Sequence, residues 1–210
     1  MTISIELVDT FSTINKRINQ AIAQELNLRM RKNSRRSVNM FKLIIPNWIM
    51  EQPEVTSLLA NGTPTSLNAQ FGLSPGNAQE AVKEIVSAVA TSMAVKFIPI
   101  SPKLKGGVQF DFQSADFANL LGLADGHQYT KLGIDLHWLD WLLTKGDTTI
   151  IKGYHYEPSS EGRSRGGTMK MTGYFRVPPE HAGTITDNFI TRAFDNRERQ
   201  ISQILSSLLR

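Results

Sequence analysis

From Asp9 to Met30, the apolar side chains Phe11, Ile14, Ile18, Ile22 and Leu26 recur at steps of three and four residues. That spacing puts them on one stripe of a helix. Asp9 or Thr10 is placed to cap its start. The pattern runs on through a basic stretch to Phe41, and Pro46 and Pro53 are then expected to break the chain. Glu54 to Ala60 reads as a short helix. Ser74-Pro75 supplies an N-cap and a proline at the first helical position of another. Ala78, Val82, Ile85, Val86, Val89 and Met93 form the apolar face of that helix, which ends near Met93.

Val95 to Ile100 and Val108 to Phe112 predict strands. In the second, Val108, Phe110 and Phe112 alternate with Gln109 and Asp111, the pattern of a half-buried strand. Ser101 to Gly107 connects them as a loop or irregular hairpin. Ser114 to Leu121 suits a short capped helix, and Leu132 to Leu143 an amphipathic one stopped by Lys145-Gly146-Asp147. Thr148 to Tyr156 and Met169 to Val177 predict two more strands, joined by a flexible Gly/Ser/Arg loop or arm over 157–168. Thr186 or Asp187 caps a last helix, whose stripe of Phe189, Ile190, Ala193, Phe194, Ile201, Ile204, Leu205 and Leu208 runs to the C-terminus. The fold class read from this order is α+β: one domain over 1–210, with an antiparallel sheet of about four strands packed with long N-terminal, middle and C-terminal helices.

A chain of 210 residues, 40% apolar and 20% charged, is long enough to bury a core without a staple. It has no cysteine, which excludes disulfides, thiolate metal sites and a thiol nucleophile. The opening MTISIELVD lacks the basic-then-apolar order of an export leader. The longest apolar window, Ile85 to Val95, is far short of the ~20 residues of a membrane span. A soluble protein with no membrane partner is expected. Charge alters the picture more. The net value is +4, yet residues 1–50 carry eight basic and three acidic side chains, +5, leaving −1 for the rest. This basic N-terminal helical segment contains Arg29, Arg31, Lys32, Arg35 and Arg36, with no acid among them. Such a cluster suits phosphate, an acidic neighbouring subunit, or a solvated helix end.

No GxGxxG, GxxxxGK[ST] or HExxH occurs, and the one GxSxG match, Gly162-Arg163-Ser164-Arg165-Gly166, falls in the loop between two expected strands and not at a strand-to-helix turn. Asp135, His137 and Asp140 are the only tight acid–histidine grouping, beside the packing residues Trp138 and Trp141. His155, in Tyr154-His155-Tyr156, reads as an ordinary strand position. No cofactor, metal or catalytic residue is called for. Arg163 and Arg165, in Gly162-Arg163-Ser164-Arg165-Gly166-Gly167, lack the strand-to-helix setting of a phosphate loop. They suit solvent, a subunit contact or DNA. Arg192, off the apolar stripe of the last helix, is a surface or interface side chain.

The run Trp138-Leu139-Asp140-Trp141-Leu142-Leu143-Thr144-Lys145-Gly146-Asp147 leads to the strand Ile150-Ile151-Lys152-Gly153-Tyr154 and then the arginine-rich loop. Phe175-Arg176-Val177-Pro178-Pro179-Glu180-His181-Ala182-Gly183-Thr184 and Asp187-Asn188-Phe189-Ile190-Thr191-Arg192-Ala193 follow. Over roughly residues 136–210 this order resembles virion proteins of tailed bacteriophages, of the neck and tail-completion (head–tail joining) kind. The resemblance carries no catalytic motif. It implies a structural protein, a homo-oligomeric ring of commonly six subunits, and a place at the neck or tail end of the virion after assembly in the host cytoplasm. It also implies neighbouring neck, connector and tail proteins as partners, and genomic DNA passing through the channel. The alternative is a nucleic-acid-binding protein using the basic N-terminal segment. On either reading Arg29, Arg31, Lys32, Arg35, Arg36, Arg163, Arg165 and Arg192 are the candidate subunit or DNA contacts.

Overall fold

A computed structural model describes residues 8–60, 63–129, 133–159, 162 and 166–209. The chain is mixed helix and sheet, 52% helical and 17% strand. Its elements are α1 (Phe11–Met50), α2 (Pro53–Leu59), α3 (Leu67–Gln70), α4 (Pro75–Ser92), β1 (Ala94–Ile98), β2 (Gly107–Asp111) and α5 (Ala118–Leu121). There follow β3 (Gln128–Tyr129), β4 (Asp135–Leu136), α6 (Trp138–Leu143), β5 (Ile151–Pro158), β6 (Gly167–Phe175), α7 (Phe189–Phe194) and α8 (Glu198–Ser206). None of the described helices is long and apolar enough to cross a membrane.

Two units divide the chain. The first comprises residues 1–41, 94–111 and 199–210. Thr10 caps α1, accepting from the Thr13 amide at 3.3 Å. Ala23, Met30 and Ile100 are buried together, with Leu26, Phe97 and Val108 packed against them. Asn27 holds the end of the β1 strand in both directions: its amide donates to the Ile100 carbonyl at 3.0 Å, and its carbonyl accepts from the Ile100 N–H at 2.7 Å. Asn33 donates to the Leu208 carbonyl at 3.1 Å, tying the C-terminal residues to α1.

The second unit comprises residues 42–93 and 112–198. Its core includes Ile45, Trp48, Ile49, Leu58, Ile85, Trp138, Leu139 and Phe189, each 0–1% exposed. α4 starts as its sequence predicts, with the Ser74 hydroxyl accepting from the Asn77 amide at 3.3 Å and Pro75 in the first turn. The Trp138 indole N–H donates to the Asp125 carbonyl at 3.0 Å.

Four expectations need correction. The sheet of about four strands is three separate two-stranded antiparallel pairs: β1–β2, β3–β4 and β5–β6. Alternation marks which residues are extended, but not which edges meet, and each pair here joins strands adjacent in sequence. α1 runs through Pro46 to Met50. A proline inside a helix costs about 3 kcal/mol, and the burial of Ile45, Trp48 and Ile49 around it offsets that, at roughly 1.5–3 kcal/mol for each buried side chain. The helix expected over Leu132 to Leu143 is shorter: Leu132 lies outside the described residues, Asp135–Leu136 pairs with Gln128–Tyr129, and only Trp138–Leu143 is helical. The last helix is two, because Asn196 takes the left-handed conformation (φ 59°) between α7 and α8. Strands β5 and β6 also extend into 157–168, to Pro158 and from Gly167.

Candidate assembly surfaces

The apolar stripe at the start of α1 is present but uncovered. Phe11, Ile18 and Ile22 are 77%, 51% and 41% exposed. The buried positions begin only at Ala23 and continue through Met30, Ser37 and Phe41. At 100° per residue the two sets lie roughly 100° apart around the helix. The adjacent pair Ile22 and Ala23 marks the change of phase, and that was the sequence signal for two faces rather than one.

The cations that follow are only partly occupied within the chain. Arg29 pairs with Glu25 at 2.6 Å, one helical turn away, and donates to the Leu209 carbonyl at 3.0 Å. The Arg31 guanidinium lies over the Phe97 ring, 5.0 Å from its centroid. Lys32, Arg35 and Arg36 are exposed, and the sequence has no acid between Glu25 and Glu51. Arg163 and Arg165 lie outside the described residues. Folding concentrates this charge further, because strands β1 and β2 and residues 199–210 join the basic helix. The first unit holds twelve basic and four acidic side chains, +8, and the second eleven and fifteen, −4.

Arg192 is placed differently from the other candidates. It is bound within the second unit, to Glu54 at 2.5 Å and to Asp187 at 2.7 Å. Burial of the guanidinium works against its charge. The hydrogen bond that it donates to Asp187 and the charge of Glu54 outweigh that and hold its pKa above the ordinary arginine range. Glu54 is fully buried, its second carboxylate oxygen has no partner among the described residues, and His181 Nδ1 lies 4.0 Å from the first. Arg192 therefore serves as the counter-charge to a buried acid.

The segment Pro178 to Arg192 is joined to α6 by backbone. Gly146 N–H donates to the Gly183 carbonyl at 2.7 Å, and Gly183 N–H to the Trp141 carbonyl at 3.4 Å. A Cβ on Gly183 would collide with the Leu142 carbonyl oxygen, so glycine is required by that close approach. Asn188, not Thr186 or Asp187, caps α7. Its side-chain oxygen accepts from Ile190 and Thr191, and its amide donates to the Leu143 carbonyl at 3.2 Å.

The acid–histidine grouping does not converge as its sequence spacing suggested. Asp135 meets His127 at 2.9 Å, and His137 stacks on His127 with centroids 3.9 Å apart. Asp140 instead accepts from Thr144 and faces Lys145 at 3.5 Å. Burial, and then the neighbouring His127, hold the His137 pKa below the usual histidine value. Among the described residues no group of three or more acids and histidines is arranged to hold a metal ion.

A feature that the sequence reading missed is an open apolar groove in the second unit. Pro46 and Met50 of α1, Leu59 of α2, and Val82, Val86 and Ala90 of α4, with the polar Gln79, Lys83 and Ser87, line a cavity of about 680 Å³. Leu43, exposed one turn before Pro46, continues the apolar line. Each element looked complete on its own, and only their packing shows that one side of α4 is open.

Comparison of the chain with family models, with curated proteins and with solved structures finds no match.

Proposed function

We propose that this chain is a structural virion protein of a tailed bacteriophage, assembling with copies of itself into a ring at the neck through which genomic DNA passes. It acts as a head–tail connector or tail-completion protein and not as an enzyme. The observation that carries the reading is the uncovered apolar stripe of Phe11, Ile18 and Ile22 on a unit of charge +8, in a chain whose other unit carries −4. A ring needs heterologous contacts, in which two different patches of one subunit meet, and this chain has units of opposite net charge. The phage-like order of residues 136–210 supports the same reading. So do the structural roles of Gly183, Asn188 and Arg192 within it. The test is gold-labelled antibody against the chain, imaged on particles from the source. Label at the junction of capsid and tail is expected. Label along the whole tail, or none, would reject a neck position.

A second reading, nucleic-acid binding, is favoured by the acid-free run holding Arg31, Lys32, Arg35 and Arg36. Four phosphate contacts would give a salt slope of about −3.6, roughly a 150-fold loss of affinity between 50 and 200 mM salt. Absence of DNA binding at low salt removes this reading.

A further inference from the structure

We propose that the cleft between the start of α1 and the turn joining β1 to β2 binds a phosphate-bearing ligand, held by Lys16 and Lys103. This does not depend on the ring reading, since a single copy carries the whole cleft. α1 contributes Ser12, Asn15, Lys16 and Asn19, whose three- and four-residue spacing puts them on one face. The turn contributes Ser101, Pro102 and Lys103. Together they line an open cavity of about 820 Å³ with no acid in its wall. That volume is in the range of clefts that take small ligands.

Both walls are set before a ligand arrives. The α1 face of the cleft continues into the one that packs on the hairpin, where Ala23 and Met30 are buried with Ile100. Asn27 grips Ile100 through two hydrogen bonds, next to the turn. Within the turn, Ser101 N–H donates to the Lys105 carbonyl at 2.9 Å and Leu104 N–H to the Ser101 carbonyl at 2.8 Å. A preformed site has less ordering to do on binding.

Charge and hydrogen bonding select the ligand. Among the described residues, the side chains of Ser12, Asn15, Lys16, Asn19 and Lys103 have no hydrogen-bond or ion-pair partner. The three acids among the described residues of this unit are engaged elsewhere. Asp9 pairs with Arg17 at 2.5 Å and Glu25 with Arg29 at 2.6 Å. Asp111 accepts from Gln109 at 2.9 Å and lies opposite Ala94, at the other end of the hairpin. Two ammonium point charges among hydroxyl and amide donors suit a phosphate, whose oxygens accept from several directions. A lone carboxylate would leave most of those donors unused. The cleft is also distinct from the acid-free run. At 100° per residue, Lys32 and Arg35 lie on the far side of α1 from it.

The test uses the full chain in 50 mM sodium chloride. A fluorescein-labelled eight-residue oligothymidylate is titrated by anisotropy, with unlabelled thymidine monophosphate and succinate as competitors at equal concentration. Oligonucleotide binding is expected. The variant Lys16→Ala, Lys103→Ala should lose roughly tenfold or more in affinity, with a salt slope less steep by about 1.4, the value for two single-strand phosphate contacts. Both lysines are exposed, so its melting temperature should not change. Lys103→Ala alone should give about half the change in slope. Competition by the monophosphate and not by succinate identifies a nucleotide-sized ligand. Competition by neither identifies a strand backbone, and both results uphold the site. Equal competition by succinate would mean a general anion site and overturn the proposal. No oligonucleotide binding would also overturn it. So would a loss no greater than that of the control variant Lys32→Ala, Arg35→Ala. Label on the particles reports on the ring reading separately, so either can fail alone.

Discussion

At the scale of single residues, the second unit is held by polar groups whose partners are specific. Glu54 is fully buried, and its charge is balanced by Arg192 at 2.5 Å. Removing one partner of a buried pair leaves the other uncompensated, at a cost of roughly 3–5 kcal/mol. Arg192 is partly open to solvent, which puts Arg192→Met near the lower end, about 3 kcal/mol by urea unfolding. Adding Glu54→Gln should recover much of that loss, and a double variant no more stable than the single one would show that Arg192 acts by packing instead. His137 gives the unit a pH response. Burial and the stacked His127 lower its pKa in the folded chain below the ordinary 6.5, while Asp140 and Asp135 oppose that shift without overcoming it. The unfolded chain therefore takes up the proton first. The stability due to neutral His137 is complete above pH 6.5 and is lost as the pH falls from there toward the folded-state pKa. Thermal melts from pH 7.5 to 5 should show this decline, and His137→Gln should flatten it.

At the scale of elements, local signals were legible and tertiary ones were not. Ser74-Pro75 located the start of α4 because a cap and an N-terminal proline act within one turn. Val108, Phe110 and Phe112 located β2 because alternation is a property of the strand itself. Pro46 misled, since its cost is local but the burial that offsets it comes from other helices. The groove was invisible for the same reason. Asn188 shows how narrow the margin is: Thr186, Asp187 and Asn188 are all good caps by type, and only the backbone places Asn188 at the start of α7. There it makes a reciprocal pair with Thr191 and also donates to Leu143 and Thr184. Asn188→Ala is thus expected to cost about 2 kcal/mol, the upper end for a cap, whereas Asp187→Ala should cost less than half as much. Equal losses would return the cap to the position the sequence suggested.

At the scale of the whole molecule, the decisive property is the division of charge. Residues 1–41 carry +4, and folding adds Lys96, Lys103, Lys105, Arg199 and Arg210 to the same unit against only Asp111, while Lys42 falls in the other unit. On the proposed ring reading, a net charge of +8 on one unit and −4 on the other predicts salt-dependent self-association. Screening shortens from about 10 Å at 0.1 M salt to about 3 Å at 1 M, while apolar contacts do not weaken with salt in this way. Because charge complementarity acts mainly on encounter, the association rate should fall with salt more than the dissociation rate rises. Sedimentation and stopped-flow light scattering between 0.05 and 0.5 M sodium chloride measure both. The triple variant Lys32→Glu, Arg35→Glu, Arg36→Glu changes only exposed side chains and separates the roles of the basic helix. If these cations face a neighbouring copy, assembly of the variant slows and loses its salt dependence. If assembly is unchanged while low-salt DNA binding disappears, the cations face the channel, and the attraction between copies comes from the other charges of the first unit.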